Sequence, residues 1–377
     1  MGALQPLGGL TLLRDGQKAF PAILEAIDAA RTSIDINMFI WRDDKIGNRM
    51  AEAVLAAARR GVRVHISVDR YGAVLERAEE CRRSFFHKRL RPAEECKARF
   101  LTLFYPRKNS LPPQRELQSE LYRNILNEEN ITLDCDRHKA DHSKFYVIDG
   151  RILFLGGINI EDKENGADRQ GRVYGDYMVR LEGEEYVAAF LKKRSGLGDT
   201  SELPLSFPMN LKEIGIFEME EHYLSLIRSA SSELTVVMAY LSPLRRFTDA
   251  LIEAHRRGVR VRVLIPGSSN FQDDSNKRTV RRLLRATRGG IEVYLSPKML
   301  HTKLVMNEEQ VSFGSTNITK KAFSQLDELN LCVRRLPSPF VSELDLSLRE
   351  ELSFARRVCA QEIRYRRIKA MLEGLLV

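Results

Sequence analysis

No apolar run in the chain approaches the ~18 residues needed to cross a bilayer, and the N-terminus lacks the charged-then-apolar layout of a secretory leader. A chain that stays on the cytoplasmic side is therefore expected. Gly2 invites a myristoylation reading, but Pro6 stands where that motif wants Ser or Thr. Cysteine is scarce: Cys81, Cys96, Cys135, Cys332 and Cys359 are odd in number and include no Cys-x-x-Cys pair. That argues against a disulfide framework and for reduced thiols in a cytoplasmic setting. Interleaved aromatic and basic residues of the kind that stack single-stranded nucleic acid are also missing.

What is present is length and positive charge. The 377 residues, 43% of them hydrophobic, suffice for two lobes of ordinary size. Lys and Arg number 60 against 51 Asp and Glu, a formal charge of +9. The excess favours anionic partners: nucleic acid, an acidic membrane face or phosphorylated small molecules.

An internal repeat organises the chain. From Ala22 to Asp69 the pattern predicts an amphipathic helix, a strand around Ile34 to Ile40, a helix across Met50 to Arg60, then Gly61 and a strand Val62 to Val68. The order returns in the second half as a helix Tyr223 to Ala230, a strand Leu234 to Tyr240, a helix Phe247 to Arg256, then Gly258 and a strand Val259 to Ile265. Arg59-Arg60-Gly61-Val62-Arg63-Val64 and Arg256-Arg257-Gly258-Val259-Arg260-Val261 match letter for letter, inside a shared order of elements. Glycine after each helix is a stop signal. The β-branched runs are continuous rather than alternating, as in strands of a mostly parallel sheet buried on both faces. Each half reads as an α/β sandwich. The first half carries an insertion at about 75–123, charged and helical in pattern, broken by Pro106 and Pro112-Pro113. It reads as a surface excursion or as a lid or membrane-facing element.

Two short blocks follow the repeated units with the same internal distances. The first is His142-Ser143-Lys144 with Asp149 and Gly156-Gly157-Ile158-Asn159; the second is His301-Thr302-Lys303 with Glu308 and Gly314-Ser315-Thr316-Asn317. Strand alternation places His and Lys of each block on one face. Two histidines, two lysines and two asparagines suit a phosphodiester: cations and amides hold phosphate oxygens while imidazoles exchange bonds. No metal or other cofactor is required. One neutral imidazole would attack phosphorus and the other, protonated, would protonate the departing alkoxide. A free pKa near ~6.5 makes both states reachable, and coupling should split the pair into acid and base. His65, His87, His138, His222 and His255 have no repeated partner and are assigned to structure or surface.

These residues resemble the phospholipase D superfamily, whose signature is His-x-Lys, four residues, Asp, then Gly-Ser or Gly-Gly before Asn. The first block matches fully; the second has Glu308 in place of Asp. The resemblance covers nearly the whole chain and implies two similar α/β/α sandwich lobes in a pseudo-symmetric monomer with one shared active site. The lobes would span residues 1–200 and 201–335, followed by a basic amphipathic helical segment at 336–377. It further implies that His142 is the nucleophile and His301 the general acid, with Lys144, Lys303, Asn159 and Asn317 on the phosphate. Members also place an acidic residue downstream of each block that orients its histidine; Asp176 and Glu328 occupy those places.

Within the superfamily, Met38-Phe39-Ile40-Trp41-Arg42-Asp43-Asp44 and the following helix end look like bacterial cardiolipin synthases. So does the tail, where Leu344, Leu348, Leu352, Ala355, Cys359 and Ile363 recur at helical spacing among Arg349, Arg356, Arg357, Arg364, Arg366, Arg367 and Lys369. A basic amphipathic helix can lie in an anionic interface, or pack on the second lobe. Arg278, Arg281, Arg282 and Arg285 share one helical face that is either solvated or gathers headgroups. The expectation is a phosphatidyltransferase making cardiolipin from phosphatidylglycerol, peripheral on the inner face of the cell membrane. The alternatives are a phospholipase D-type hydrolase or a metal-independent nuclease of the same superfamily.

Overall fold

The computed structural model describes residues 8–80, 84–87, 89–105, 120–166, 171, 173–198 and 203–376. Gly2, Pro6, Cys81, Pro106 and Pro112-Pro113 lie outside these residues.

The predicted repeat is present in space. The helices Asp15–Ala29 and Lys45–Arg59 alternate with the strands Ser33–Met38 and Arg63–Val68; in the second half the helices Met219–Ser229 and Arg245–Arg256 alternate with Glu233–Met238 and Arg260–Pro266. Gly61 and Gly258 stop the two second helices at φ 92° and 93°, a left-handed conformation that costs a side-chain-bearing residue.

The first sheet has seven strands in the order Leu10–Arg14, Tyr177–Glu182, Ile152–Gly156, Phe145–Ile148, Ser33–Met38, Arg63–Val68, Ile131–Asp134. The second repeats its core as Glu328–Arg334, Gln310–Gly314, Lys303–Asn307, Glu233–Met238, Arg260–Pro266, Glu292–Ser296, with further short strands at its edges. The sheets are mixed rather than mostly parallel. In the first, only Ser33–Met38, Arg63–Val68 and Ile131–Asp134 pair in parallel, while Phe145–Ile148 runs against Ser33–Met38. A continuous apolar run reports burial on both faces, not strand direction, which is why the pattern misled on this point.

Burial on both faces has a specific origin. The outer face of each sheet packs on its own helices, with Ile23, Val54 and Ile66 in one cluster and Tyr223, Leu251 and Val263 in another. The inner faces pack on each other: Phe145, Leu155 and Val179 of the first sheet share one core with Leu304, Phe313 and Leu331 of the second. The strand ends that carry the histidines are thereby held against one another.

The tail departs from the expected continuous helix. Pro339–Phe354 is helical, capped by Ser338, and buries Phe340, Leu344 and Leu348. At Ala355 the backbone turns extended, and Arg356–Val358 adds an edge strand to Glu292–Ser296 before a last helix, Arg367–Leu375. Open sheet-edge groups outcompete helix continuation there, so Cys359 and Ile363 fall outside any helix. The arginine stripe on helix Asp273–Ala286 receives this tail rather than standing solvated along its length: the Arg281 guanidinium lies 5.8 Å from the Tyr365 ring centroid. Among the described residues no helix is long and apolar enough to cross a membrane.

Candidate active site

His142 and His301 stand just before the strands Phe145–Ile148 and Lys303–Asn307. Backbone contacts tie each to the opposite lobe. The His142 N–H donates to the Asp327 carbonyl at 2.9 Å, and the His301 N–H donates to the Gly175 carbonyl at 2.7 Å, where Met299–Leu300 pairs with Tyr174–Gly175. Side chains follow the same crossing. His142 Nδ1 lies 3.1 Å from both carboxylate oxygens of Glu328, and His301 Nδ1 lies 3.1 Å from Asp176 and 3.1 Å from Glu164.

The expectation that each acid orients the histidine of its own block is thus corrected: the acids are exchanged between lobes. The reason is topological. Asp176 and Glu328 stand at the N-terminal ends of Tyr177–Glu182 and Glu328–Arg334, the strand ends that meet the other lobe's histidine loop, and the backbone bonds just named fix that meeting.

Because Nδ1 of both rings faces a carboxylate, Nε2 is the nitrogen left for a substrate. The two rings differ in electrostatics. Burial, reinforced by Lys144, Lys303 and His301, pushes His142 well below the ordinary imidazole range. Burial also opposes charge on His301, as does Lys303, but Glu164 and Asp176 outweigh them and raise it. Glu328 is lifted by burial to about 8, whereas Asp176 is lowered, burial being outweighed by Lys303 and His301. One imidazole is held neutral and the other favours its proton, the split that acid–base catalysis needs.

Of the remaining matched residues, the two lysines lie against the histidines and Asn317 shares a cavity with His142. Lys144 and Lys303 are fully buried, and each Nζ donates to the carbonyl of the histidine two residues before it. Lys303 also reaches Asp176 at 3.1 Å. Burial and the charge of Lys303 bring Lys144 down to about 7. Asn159 is buried with its Oδ1 unpartnered, and Asn317 Oδ1 accepts from the Tyr240 N–H at 3.3 Å. The Gly-Gly against Gly-Ser difference between blocks has a cause: a Cβ on Gly157 would stand 2.1 Å from Asp176, whereas the Ser315 hydroxyl donates to Glu328.

Asp149 and Glu308 do not join this cluster. Asp149 sits beyond the far end of its strand and accepts from the backbone N–H groups of Arg31, Thr32 and Ser33. Glu308 brackets Ser231, Ser232 and Glu233 in the same way. The catalytic assignment of both is corrected to a structural one, and the longer Glu308 arm makes the same bracket. Three backbone hydrogen bonds to a carboxylate are lost together in Asp149→Ala, but most of them are solvent-exposed and water replaces them in part, so the variant should cost about 2 kcal/mol of unfolding free energy by denaturant titration. Glu308 is lowered to about 2, with burial outweighed by its Ser231 and backbone hydrogen bonds. Its stabilising effect is complete above the ordinary carboxylate range and is lost as pH falls through the folded value. Glu308→Gln should therefore flatten the acid limb of the stability profile.

Several residues around the site were given no role from the sequence. Glu164 closes the short 3-10 helix Asp162–Glu164, outside either block. Arg42 is buried among Glu76, Glu79, Glu80 and Glu161, with Lys163 alongside. Three of those glutamates belong to helix Arg70–Glu80, which falls partly within the insertion at about 75–123. Tyr174, whose hydroxyl donates to Glu79 at 3.1 Å, connects this network to His301, the two rings lying 5.8 Å apart. The insertion helix Pro92–Thr102 has a further role, helping to wall a cavity of about 330 Å³. His142, Asn317 and Glu328 line its polar end, and Phe39, Leu75, Leu101, Phe271 and Leu375 its apolar walls.

Residues 23–192 and 223–348 match the family described as cardiolipin synthase, phospholipase D-like domain. Cardiolipin synthase B of Shigella flexneri is 28% identical over 348 residues, 86% of this chain and 76% of that protein. Cardiolipin synthase A of Pseudomonas entomophila is 27% identical over 383 residues, 94% of this chain and 70% of that protein. The crystal structure of phosphatidylserine synthase from Haemophilus influenzae superimposes with a TM-score of 0.69 at 12% identity, covering 99% of this chain and 92% of that one, a likeness of fold. With two matched segments that each hold the core strands of one sheet and one histidine block, the chain belongs to the cardiolipin synthase family of phospholipase D-like proteins.

Proposed function

We propose that the chain is a phosphatidyltransferase that makes cardiolipin from two molecules of phosphatidylglycerol. The observation that carries this reading is the pair of crossed histidine–carboxylate contacts, one imidazole held neutral and one favouring its proton, at an apolar-walled cavity. His142 Nε2 attacks the donor phosphorus, the bond to the glycerol headgroup breaks, and His301 gives its proton to the departing oxygen. A hydroxyl of the second phosphatidylglycerol then loses its proton to His301 and attacks phosphorus, breaking the bond to His142. Cardiolipin and glycerol result and both rings regain their starting state. Lys144, Lys303, Asn159 and Asn317 hold the phosphate oxygens, while Glu328, Asp176 and Glu164 orient the rings. Every one of these groups comes from one chain, so a monomer suffices.

Incubation with phosphatidylglycerol vesicles, and separately with single-stranded DNA, followed by mass analysis, tests this. Cardiolipin with free glycerol is the expected outcome. Phosphatidic acid alone would make the enzyme a hydrolase, and cleaved DNA a nuclease.

The substrate's position defines how the enzyme meets it. Leu103, just past the C-terminus of the insertion helix, and Ile368 and Leu375 on the last helix are 73%, 73% and 76% exposed, and the two segments touch where Lys369 Nζ donates to the Phe104 carbonyl at 3.3 Å. Leu375 also lines the cavity. This apolar rim, flanked by Arg364, Arg366 and Arg367, would dip into the cytoplasmic face of an anionic membrane. Truncating the tail would also remove a sheet edge, so point substitutions are the cleaner probe. Replacing Leu103 and Leu375 together by Ser should weaken sedimentation with anionic vesicles by roughly ten-fold or more, from the loss of buried apolar area. Unaltered vesicle binding by a variant that melts like the parent would remove this rim from the membrane contact.

A further inference from the structure

Beside the catalytic cavity lies a second, more open one of about 620 Å³. The two share Tyr71, Lys97, Lys321 and Leu326. Three elements meet there: Tyr71 on helix Arg70–Glu80, Lys97 on the insertion helix Pro92–Thr102, and Lys321 on helix Lys320–Ser324 of the second half.

Both ammonium groups converge on one ring. Lys97 Nζ stands 4.3 Å from the Tyr71 ring centroid and Lys321 Nζ 4.5 Å, with Lys321 Nζ also donating to the Tyr71 hydroxyl at 3.2 Å. A ring face partly compensates a cation, but it brings no neutralising charge. Among the described residues neither lysine has a carboxylate at ion-pair distance, and the acids nearby are engaged elsewhere. Glu94 takes Arg70 through both oxygens at 2.8 and 2.9 Å, and His138 at 2.8 Å. Asp69 accepts from the backbone N–H groups of Tyr71 and Asp141, each at 2.7 Å. Glu328 is held between His142 and Ser315. Lys212 on the lining of the open cavity adds a further cation there.

Two cations brought together from separate elements without a counterion cost electrostatic energy that an anion would relieve. The catalytic machinery does not use them, because the donor phosphate is held by the buried Lys144 and Lys303. We propose that Lys97 and Lys321, with Tyr71 between them, form the subsite for the phosphodiester of the acceptor, a second anionic phospholipid, entering through the open cavity. The apolar walls next to the lysines favour a lipid over a soluble phosphorylated alcohol. With its phosphate at this junction, the acceptor's headgroup hydroxyl is directed toward the phosphoryl group on His142, in the catalytic cavity that His142 and Asn317 line. The site would thus select anionic over neutral acceptors, and this rests on the transferase reading above.

The test is acceptor competition. Full-length enzyme is given a phosphatidylglycerol donor in vesicles with deuterated glycerol, glycerol 3-phosphate or a second, chain-labelled phosphatidylglycerol as acceptor, and products are counted by mass. Each charge-assisted contact is worth roughly ten-fold. In Lys97→Gln/Lys321→Gln the ratio of labelled cardiolipin to glycerol-transfer product should therefore fall at least about ten-fold against wild type, with each single variant giving part of the fall. Because the readout is a ratio within one enzyme, general loss of activity or of vesicle binding cancels. An unchanged ratio overturns the subsite. A fall confined to glycerol 3-phosphate overturns the lipid assignment in favour of a soluble phosphorylated alcohol. A wild type that only hydrolyses its donor overturns the transferase reading itself, an outcome that needs no variant to recognise.

Discussion

His142→Ala should lower turnover by at least on the order of 10⁴-fold and leave no acid-labile phosphoprotein, while His301→Ala should still form one from a donor with a p-nitrophenol leaving group. The asymmetry follows from the environments. His142 is held neutral by burial and by Lys144, Lys303 and His301, so its Nε2 lone pair is available for attack. His301 favours its proton under two carboxylates, which suits protonation of a poor leaving group such as glycerol and is dispensable for a good one. Rapid quench with labelled donor, followed by peptide mapping, reads the result. Label on residue 301 in the wild type would reverse the roles, and full turnover by His142→Ala would end the covalent mechanism.

The histidine blocks were legible because duplication wrote them twice at equal spacing, and the sheet order confirms the duplication strand for strand. What the duplication could not disclose is which copy serves which. Asp176 and Glu328 are close in sequence to their own blocks, yet the loops that present them pair by backbone with the opposite lobe. Sequence proximity is a sound guide to contacts within an element and a poor one where two lobes meet face to face. The same limit hid Glu164, which has no counterpart in the repeat pattern, and the joint use of Tyr71, Lys97 and Lys321, which lie on three elements. Asp149 and Glu308 failed for a different reason. They stand at fixed spacing from each histidine because they bracket the turn that starts the neighbouring strand, so constant spacing reflected the fold and not the chemistry. In the tail, helical periodicity from Leu344 onward was real as far as Leu352. It then lost to the sheet edge that Arg356–Val358 completes.

The exchange of acids between lobes predicts which half-reaction each one governs. Asp176→Asn removes a carboxylate from His301. Burial and Lys303 then press on the imidazolium with only Glu164 opposing them, so its pKa falls. The basic limb of the rate profile should move to lower pH, and turnover of phosphatidylglycerol at neutral pH should drop by about 10²-fold, the scale of general acid catalysis. Release of p-nitrophenol should suffer much less, because that step needs no acid. Glu328→Gln acts on His142 instead. It puts an amide in place of the carboxyl against Nδ1, and with its NH2 facing the ring the tautomer and orientation for attack are disfavoured, so p-nitrophenol release should fall together with natural turnover. If each acid served the histidine of its own block, the two variants would exchange behaviour: Asp176→Asn would suppress both substrates and Glu328→Gln would spare the activated one. Comparing the two variants on the two donors across pH therefore decides between the arrangements, and the outcome is readable even where one variant is only partly active, since the decisive quantity is the ratio of activated to natural donor turnover within each enzyme.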